Sequence, residues 1–341
     1  MERIRLGERI WLFGSFLRLY LFGWSLAMLV LGILSVANGL NWRAIAAISM
    51  VVPFQIVFAV VNDLATIEMD RRDPRKSGRP LVSGFVSPAA AKALVVAVVA
   101  VAFPVDAILL GFDPARSATL AIAFVTTAAY NIAGKRTHVP PLMDFLLGVG
   151  SAALVHYGAL AVASTATATT FLVEVAVVIY ITLDNGVHFS VRDIRSDLEY
   201  GAITTPIVFG VRPRENAPPY LPLGFWIYAL CLQVLLTAVT LGPVLLWVSR
   251  DQIAWSAAIV ALFFAVGCYV FIYPAIDAAL SDSARYACAY LQSLCAFGSI
   301  AALGGAKHGG LPALGVFAIL VVPLGAKSAI RTVRLSLRFP T

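Results

Sequence analysis

Residues 41–80 read NWRAIAAISMVVPFQIVFAVVNDLATIEMDRRDPRKSGRP, an apolar run that passes directly into a stretch dense in charge. No charged residue stands between Arg43 and Asp63. An α-helix needs about 20 predominantly apolar residues to cross the hydrocarbon core of a bilayer. The run therefore predicts a transmembrane helix that ends in a charged segment at one membrane surface.

The rest of the chain repeats this apolar pattern. Hydrophobic residues make up 60% of the sequence and charged residues 13%, and the mean hydropathy is +0.88. Soluble domains carry about 25% charged residues, so this chain has too few charges to cover a surface that faces water. We therefore expect an integral, multi-pass membrane protein and disfavour an apolar soluble enzyme.

The fold class that follows is all-α, a polytopic membrane helical bundle of nine or ten transmembrane helices. Residues 1–341 are expected to form one domain, in which residues 1–210 carry the polar motifs and residues 211–341 supply further helices. The apolar run nearest the N-terminus, Trp11–Val36, is too long for a cleaved signal peptide. The ten predicted spans are Trp11–Val36, Asn41–Val61, Ala89–Gly111, Ser117–Ile132, Leu142–Ala163, Thr170–Val187, Leu221–Val248, Ile253–Tyr273, Arg285–Leu303 and Leu311–Ile330.

The placement of positive charge predicts the orientation. With ten spans, 21 of the 25 Lys and Arg residues fall on the side of the two termini, and the exceptions are Arg43, Arg116, Arg250 and Lys307. Cytoplasmic loops carry such an excess, so both termini are expected to be cytoplasmic, in what we take to be the cell inner membrane. Loops beside anionic lipid and an anionic substrate account for the net charge of +7, and no nucleic-acid partner is expected.

Two clusters of ionisable residues close predicted spans on the cytoplasmic side. The first is the segment Asn62–Pro80, and the second is RDIRSDLE at Arg192–Glu199. At about 100° per residue, one face of the first helix end carries several oxygen ligands, and Glu68 points away from that face. The residues on that face are Asn62, Asp63, Thr66 and Asp70.

In the second cluster, Asp193 and Asp197 lie one helical turn apart and share a face. Carboxylates so placed repel each other unless a cation lies between them, and Mg²⁺ is a hard ion held by carboxylates, waters and substrate phosphates. Two acidic helix ends that face each other predict Mg²⁺ ions bridging to a diphosphate, with neighbouring Lys and Arg residues on the remaining charge. The alternative is a pair of solvated loops that close salt bridges.

Four sequence elements occur in order along the chain, and together they carry a family resemblance. They are N-D-x-x-T-x-x-x-D running on to R-P, then Y-N-x-x-x-K-R, then P-x-x-D, then D-x-x-x-D followed by spaced G, T, P and G. They occupy residues 62–80, 130–136, 141–144 and 193–210. The sequence resembles the UbiA superfamily of intramembrane prenyltransferases over roughly residues 18–210, and the remainder matches only as apolar helices.

The resemblance implies a helical bundle with an active site at the cytoplasmic membrane face. Such enzymes join an isoprenyl diphosphate to an acceptor, which here is an unidentified aromatic, sugar phosphate or lipid. Magnesium withdraws electron density from the diphosphate, an allylic C–O bond breaks, and the acceptor captures the carbocation. The apolar bundle, surrounded by membrane lipid, houses the isoprenoid tail and excludes water.

The resemblance also implies roles for individual residues. The predicted catalytic residues are Asp70, Asp193 and Asp197. The predicted Mg²⁺ ligands are these three residues together with Asn62. The helical periodicity, which places Asp63 on the same face, adds Asp63 to this set. The predicted substrate-binding residues are Asn62, Arg71, Tyr130, Lys135, Arg136 and Asp144.

Thr66 is a departure from the family pattern, because it replaces the middle carboxylate of the first motif. A hydroxyl is a much weaker Mg²⁺ ligand than a carboxylate. The helical wheel places Asp63 within about 20° of Asp70, so we hypothesise that Asp63 takes over the missing ligand role.

Three other functions stay open at this point. A membrane terpene cyclase of the same superfamily would ionise the same donor, and the double bonds of the prenyl chain itself would capture the cation. A secondary transporter is disfavoured, because transporters place their charged residues near the bilayer midplane, whereas these acids close the spans. A non-catalytic scaffold is suggested by Thr66 alone.

We predict that the loops containing Arg75 and Arg195 are cytoplasmic. Single cysteines at these positions, in a variant without native cysteines, should react with a membrane-impermeant maleimide only after cells are permeabilised. A cysteine at Ser164, in the predicted external turn, is the control and should react in intact cells. Labelling of either loop in intact cells would overturn the orientation.

Overall fold

The structure is a computed structural model that describes residues 14, 16–18, 22–37, 41–214, 217–250, 253, 255–276 and 282–306. The predicted span Leu311–Ile330 and the first part of Trp11–Val36 lie outside the described residues.

The described chain is almost entirely helical, because a backbone in lipid must satisfy its hydrogen bonds within the segment itself. Short helical turns at Pro74–Lys76 (3₁₀) and Asp184–Phe189 (π) interrupt the series. The α-helices are α1 (Phe22–Val36), α2 (Trp42–Ser49), α3 (Val51–Arg72), α4 (Pro88–Leu110), α5 (Pro114–Ala133), α6 (Pro140–Val162), α7 (Ala168–Leu183), α8 (Ser190–Arg192), α9 (Ile194–Glu199), α10 (Thr205–Val208), α11 (Leu223–Ser249), α12 (Trp255–Ile276) and α13 (Asp282–Gly304).

The helix ends follow local sequence signals. Ser87 and Asp113 accept hydrogen bonds from the first turns of α4 and α5, and each is followed by a proline. Proline suits the first helical position because it has no N–H to leave unpaired there. Thr167 and Thr170 form a reciprocal cap at the start of α7, which orders the turn between α6 and α7.

Seven described helices are long and apolar enough to cross a membrane. These segments are Trp42–Arg72, Pro88–Leu110, Pro140–Val162, Ala168–Arg192, Leu223–Ser249, Trp255–Ile272 and Ala287–Gly304. The predicted class, a polytopic helical membrane bundle, is confirmed, while the count of nine or ten spans stays a prediction. The first and fourth of these segments continue past the predicted spans, to Arg72 and to Arg192, so both carry polar residues beyond their apolar runs.

A small β-hairpin is the one departure from an all-helical chain within the described residues. β1 (Arg212–Arg214) pairs antiparallel with β2 (Ala217–Tyr220) just before α11. This segment contains three prolines, and proline removes a helical hydrogen bond and clashes with the preceding turn. The hairpin therefore replaces a helical connection at that point.

Glycines allow α1 and α6 to pack with their backbones in contact. A Cβ atom at Gly32 would lie 1.8 Å from the carbonyl oxygen of Val155, and one at Gly158 would lie 2.2 Å from that of Leu29. Small residues at helix interfaces are typical of membrane bundles, where close backbone packing replaces the hydrophobic driving force. The two helices therefore pack directly against each other, backbone to backbone.

A buried ion pair ties three helices at the end of the bundle opposite the acidic motifs. Arg116 of α5 donates to both carboxylate oxygens of Asp106 on α4 at 3.2–3.3 Å. Tyr157 of α6 donates to the same carboxylate at 2.5 Å. Both charged side chains are 1% exposed, and a buried charge is tolerated only when it is paired and hydrogen-bonded in this way.

We predict that Gly32→Ala destabilises the protein although alanine is the better helix former. The added methyl group would overlap the α6 backbone, and overpacking of this kind costs about 1–3 kcal/mol. Gly242→Ala is the matched control, because a Cβ atom there meets nothing within 4 Å. Thermal unfolding in detergent should show a lower melting temperature for Gly32→Ala than for the wild type, and an unchanged melting temperature for the control. Equal melting temperatures for Gly32→Ala and the wild type would contradict the packing.

Candidate active site

The predicted polar motifs meet at one end of the bundle. Helices α3 and α5 end there, α6 and α11 begin there, and the continuous segment from α7 to α8 ends there. A cavity of about 60 Å³ lies among these ends. The residues that line it are Tyr130, Gly134, Lys135, Pro140, Asp144, Asn185, Phe189, Ser190, Asp193, Asp197, Thr204 and Thr205.

A π-helical turn at Asp184–Phe189 aims the end of α7 into this cavity. Ser190 Oγ donates to the carbonyl oxygen of Asn185 at 2.7 Å, across the widened turn. Asn185, Phe189 and Asp193 then all line the cavity. Single π turns inside α-helices occur frequently at functional sites.

The second acidic motif supplies two carboxylates to the cavity. The helix breaks at Asp193, between α8 and α9, yet Asp193 and Asp197 still face the same space, as their spacing predicts. Arg192 Nε and Nη2 donate to the two oxygens of Asp193 at 2.8 and 2.9 Å. Lys135 Nζ donates to Asp197 Oδ1 at 2.7 Å. Asp197 Oδ2 is buried and has no hydrogen-bond partner among the described residues.

The two carboxyl groups differ in their ease of ionisation. Burial disfavours the charged form of Asp193, but its hydrogen bonds to Arg192 and the charges of Lys135 and Lys76 outweigh this and lower its pKa. Burial raises the pKa of Asp197, although the charge of Lys135 acts in the opposite direction. Lys76 belongs to the first motif, and its charge acts on both acids of the second motif, so the two motifs lie close together.

Asp144 is the centre of a hydrogen-bond network on the wall of the cavity. Asn185 Nδ2 donates to Asp144 Oδ1 at 2.5 Å, and Thr205 Oγ1 donates to Asp144 Oδ2 at 2.5 Å. Tyr130 OH donates to Asn185 Oδ1 at 3.0 Å. The network joins α5, α6, the π turn and α10, and it holds these polar groups in fixed orientations.

The first acidic motif lies on the last turns of α3, beside the second. Lys76 Nζ donates to Asp70 Oδ1 at 2.8 Å, and Arg79 Nη1 donates to Asp70 Oδ2 at 2.5 Å. Thr66 Oγ1 lies 3.0 Å from the carbonyl oxygen of Asn62 and 3.1 Å from Asp70 Oδ2, and it can donate to either. The carboxylate of Asp70 is therefore fully engaged by groups of the protein itself.

Asn62 and Asp63 contact a residue that lies far from them in sequence. Arg18 Nη2 donates to Asn62 Oδ1 at 2.6 Å and also to Asp63 Oδ1. Asn62 Nδ2 donates to Asn131 Oδ1 at 2.8 Å, next to Tyr130 of the cavity wall. Arg79 lies 4.0 Å from Asp63 as well as 2.5 Å from Asp70, so the two carboxylates share a face, as the wheel predicts.

Two predicted diphosphate contacts are not brought to the cavity. Arg71 pairs with the exposed Glu68 at 2.8 Å, and Glu68 points away from the shared face, as expected. Arg136 Nη2 donates to the carbonyl oxygen of Ala65 at 2.7 Å and is exposed. Of the predicted substrate-binding residues, Tyr130, Lys135 and Asp144 line the cavity.

Sequence reasoning missed several residues of the site. Lys76 and Arg79 lie in the charged segment 62–80, so the sequence shows that they are near the acids of the first motif. It does not show which acid each of them contacts. Arg18 is an isolated arginine in an apolar run, and a charge in that context is itself a functional signal. Thr205 and Phe189 offer no such signal, because each reaches the cavity through a loop or a π turn.

The side chains that could ligate a metal ion decide whether the cavity can hold one. Among the described residues, no three His, Cys, Asp or Glu side chains are grouped so as to hold a metal ion. The buried, unpartnered Asp197 Oδ2 on the cavity wall is a hard oxygen ligand of the kind that Mg²⁺ prefers. Asp197 therefore offers one oxygen to a hard cation, whereas both oxygens of Asp193 and of Asp70 already accept from cationic side chains of the chain itself.

Solved structures share this architecture. A digeranylgeranylglyceryl phosphate synthase superposes with a TM-score of 0.64 at 16% identity, over 88% of this chain and 99% of that chain. The apo form of a UbiA homologue from Aeropyrum pernix K1 superposes with a TM-score of 0.59 at 21% identity, over 84% and 97% of the two chains. A UbiA homologue from Archaeoglobus fulgidus bound to GPP and Mg²⁺ has a TM-score of 0.55 at 16% identity, over 86% and 99%.

At these identities the likeness shows the fold alone. No curated protein matches the sequence. The sequence itself matches the UbiA prenyltransferase family model over residues 19–294, which include all four sequence elements and the whole cavity lining. This chain therefore belongs to the UbiA prenyltransferase family.

Proposed function

We propose that the protein transfers a prenyl group from an allylic prenyl diphosphate to an acceptor, with Mg²⁺, at the cytoplasmic face of the membrane. The observation that carries this proposal is the cavity at the end of the bundle. There, Lys135 and two carboxylates of the second motif face Asp144 and Tyr130 in one small polar space. Membership of a prenyltransferase family supports the reaction class.

The diphosphate would bind where cationic side chains converge. Lys135 lines the cavity directly, and Lys76 lies close enough for its charge to act on Asp193 and Asp197. Lysine is a common phosphate ligand that acts as a compact point charge. Lys76 belongs to the first acidic motif and Lys135 pairs with Asp197 of the second, so a diphosphate held between the two lysines would join the two halves of the site.

We assign the Mg²⁺ ion to Asp193 and Asp197. Asp197 Oδ2 is buried at the cavity wall with no partner among the described residues, and a buried carboxylate oxygen needs a cation or a donor. The Archaeoglobus fulgidus homologue is bound to Mg²⁺ together with GPP in one structure and with DMAPP in another. When bound, Mg²⁺ would draw electron density from the diphosphate and so ease its departure.

The protein's own residues would then shield the allylic cation from water. A cluster of buried apolar side chains lies beside the acidic loop, and its members include Leu183, Val187, Val191 and Phe225. Apolar side chains beside the site would keep water away from the reacting carbon. Phe189, on the cavity wall itself, adds an aromatic surface.

Asp144 is the residue we place at the acceptor. It lies on the cavity wall, and its two oxygens are oriented by Asn185 and Thr205. An oriented carboxylate can accept a hydrogen bond from an acceptor hydroxyl and position its oxygen toward the allylic carbon. This role requires a protic acceptor, which aromatic, sugar phosphate and lipid classes all provide.

We predict that Asp193→Ala and Asp197→Ala each lower prenyl transfer at least about a hundredfold, which corresponds to roughly 2.7 kcal/mol of activation free energy. Each change removes an oxygen ligand from the site. Glu199→Ala is the matched control, because Glu199 lies at the exposed end of α9, and it should retain wild-type turnover.

The assay uses purified protein with Mg²⁺ and labelled allylic diphosphates of graded chain length, offered with aromatic, sugar phosphate and lipid acceptors. Products are identified by mass spectrometry. Turnover close to that of the wild type in both variants would refute the proposed site. A cyclised hydrocarbon formed without an acceptor would show that the reaction is cyclisation and not prenyl transfer.

A further inference from the structure

Tyr228, in the second turn of α11, places its hydroxyl beside the residue that we assign to the acceptor. A Cβ atom built on Gly186 would stand 2.6 Å from Asp144 Oδ2 and 3.4 Å from Tyr228 OH. The carboxylate and the phenol therefore lie against the same side of the π turn, at a position where glycine offers no side chain. Asp144 is also near enough for its charge to act on the Tyr228 hydroxyl.

The Tyr228 hydroxyl is buried and makes no hydrogen bond with any described residue. A phenol can donate one hydrogen bond and accept another, and a buried polar group without a partner costs free energy. Packing does not account for the hydroxyl. The ring packs on Phe209 with the two centroids 5.0 Å apart, and a phenylalanine at position 228 would make the same contact. The hydroxyl therefore serves a purpose other than packing.

Asp144 keeps the capacity to accept a further hydrogen bond. Its Oδ1 atom accepts from Asn185 and its Oδ2 atom accepts from Thr205. Because a carboxylate oxygen has two lone pairs, Oδ2 can accept a second hydrogen bond, and Tyr228 supplies an unused donor beside it. A group that donates one hydrogen bond and accepts another matches this pair, and a hydroxyl is such a group.

We propose that Tyr228 is a second acceptor-binding residue and that the acceptor presents a hydroxyl group to the site. The acceptor hydroxyl donates to Asp144 Oδ2 and accepts from Tyr228 OH. Two hydrogen bonds of opposite direction fix the orientation of the acceptor. Asp144 also lines the cavity, so an acceptor held there lies beside the diphosphate site. The inference rests on the proposed function, in which Asp144 binds the acceptor.

Tyr228→Phe tests the proposal, because it removes the hydroxyl and keeps the ring. The KM for the acceptor should rise at least about fivefold, while the affinity for the unreactive donor analogue geranyl S-thiolodiphosphate should change less than about twofold. The melting temperature should not fall, since the lost hydroxyl has no partner among the described residues. Tyr220→Phe is the matched control, because Tyr220 is an exposed residue of the hairpin, and it should leave all three quantities unchanged.

The acceptor for this test is selected with the wild type, which is offered a hydroxybenzoate, ribose 5-phosphate and a monoacylglycerol together with the labelled donor. An unchanged acceptor KM in Tyr228→Phe would overturn the inference and leave the proposed function intact. A lower melting temperature together with weaker binding of the donor analogue would give the hydroxyl a structural role and would also overturn the inference. A wild type that turns over none of the three acceptors would overturn the proposed function, and this inference with it.

Gly186→Ala is a second variant, which acts through Asp144. The added methyl group would stand 2.6 Å from Asp144 Oδ2, closer than atoms that are not bonded pack, so the carboxylate has to move. The acceptor KM should again rise at least about fivefold, with the donor analogue bound as in the wild type. An acceptor KM equal to that of the wild type would show that the geometry at Gly186 has no part in acceptor binding, and it would contradict the inference.

Discussion

The compensation of buried carboxylates at one end of an apolar bundle is the constraint on which the rest of the structure depends. Lipid cannot solvate a charge, so every acid at the membrane boundary needs a cation, a hydrogen-bond donor or a metal ion. At the first motif the chain supplies cations, and at the second motif it supplies Arg192 and Lys135 and leaves one oxygen of Asp197 without a partner among the described residues. The opposite end of the bundle obeys the same rule, because Arg116 and Tyr157 together engage Asp106.

The architecture follows from the need to bring these groups together. Helix α3 continues past its apolar run to Arg72 and so carries Asp63 and Asp70 on one face. The π turn after α7 and the break at Asp193 direct the second motif toward the same space. Helix α1 packs closely against α6 through glycine and also contacts α3, and Arg18, just before α1, reaches Asn62 and Asp63. A prenyltransferase needs this juxtaposition, because the anionic diphosphate and the apolar tail of its substrate must be held at one boundary.

Much of this could be predicted from the sequence, because membrane insertion and helix periodicity are local properties. The apolar runs predict the helices, and the wheel predicts that Asp63 and Asp70 share a face while Glu68 does not. The partners of those acids could not be predicted, since Arg18 reaches Asp63 across 45 residues and Lys135 reaches Asp197 across 62. The π turn and the β-hairpin were missed for a related reason. One residue more in a turn, or a run of prolines, changes the backbone geometry without changing the hydropathy.

The central claim is that both motifs form one diphosphate site, and binding of geranyl S-thiolodiphosphate to two lysine variants tests it most directly. Lys76 belongs to the first motif, and Lys135 pairs with Asp197 of the second motif. The account predicts that Lys76→Ala and Lys135→Ala each weaken binding at least about tenfold. Lys92→Ala, an exposed lysine in the first turns of α4, is the control and should bind as the wild type does. Wild-type affinity in either of the first two variants, measured by titration calorimetry in detergent, would contradict the account, because the two motifs would then not share a ligand.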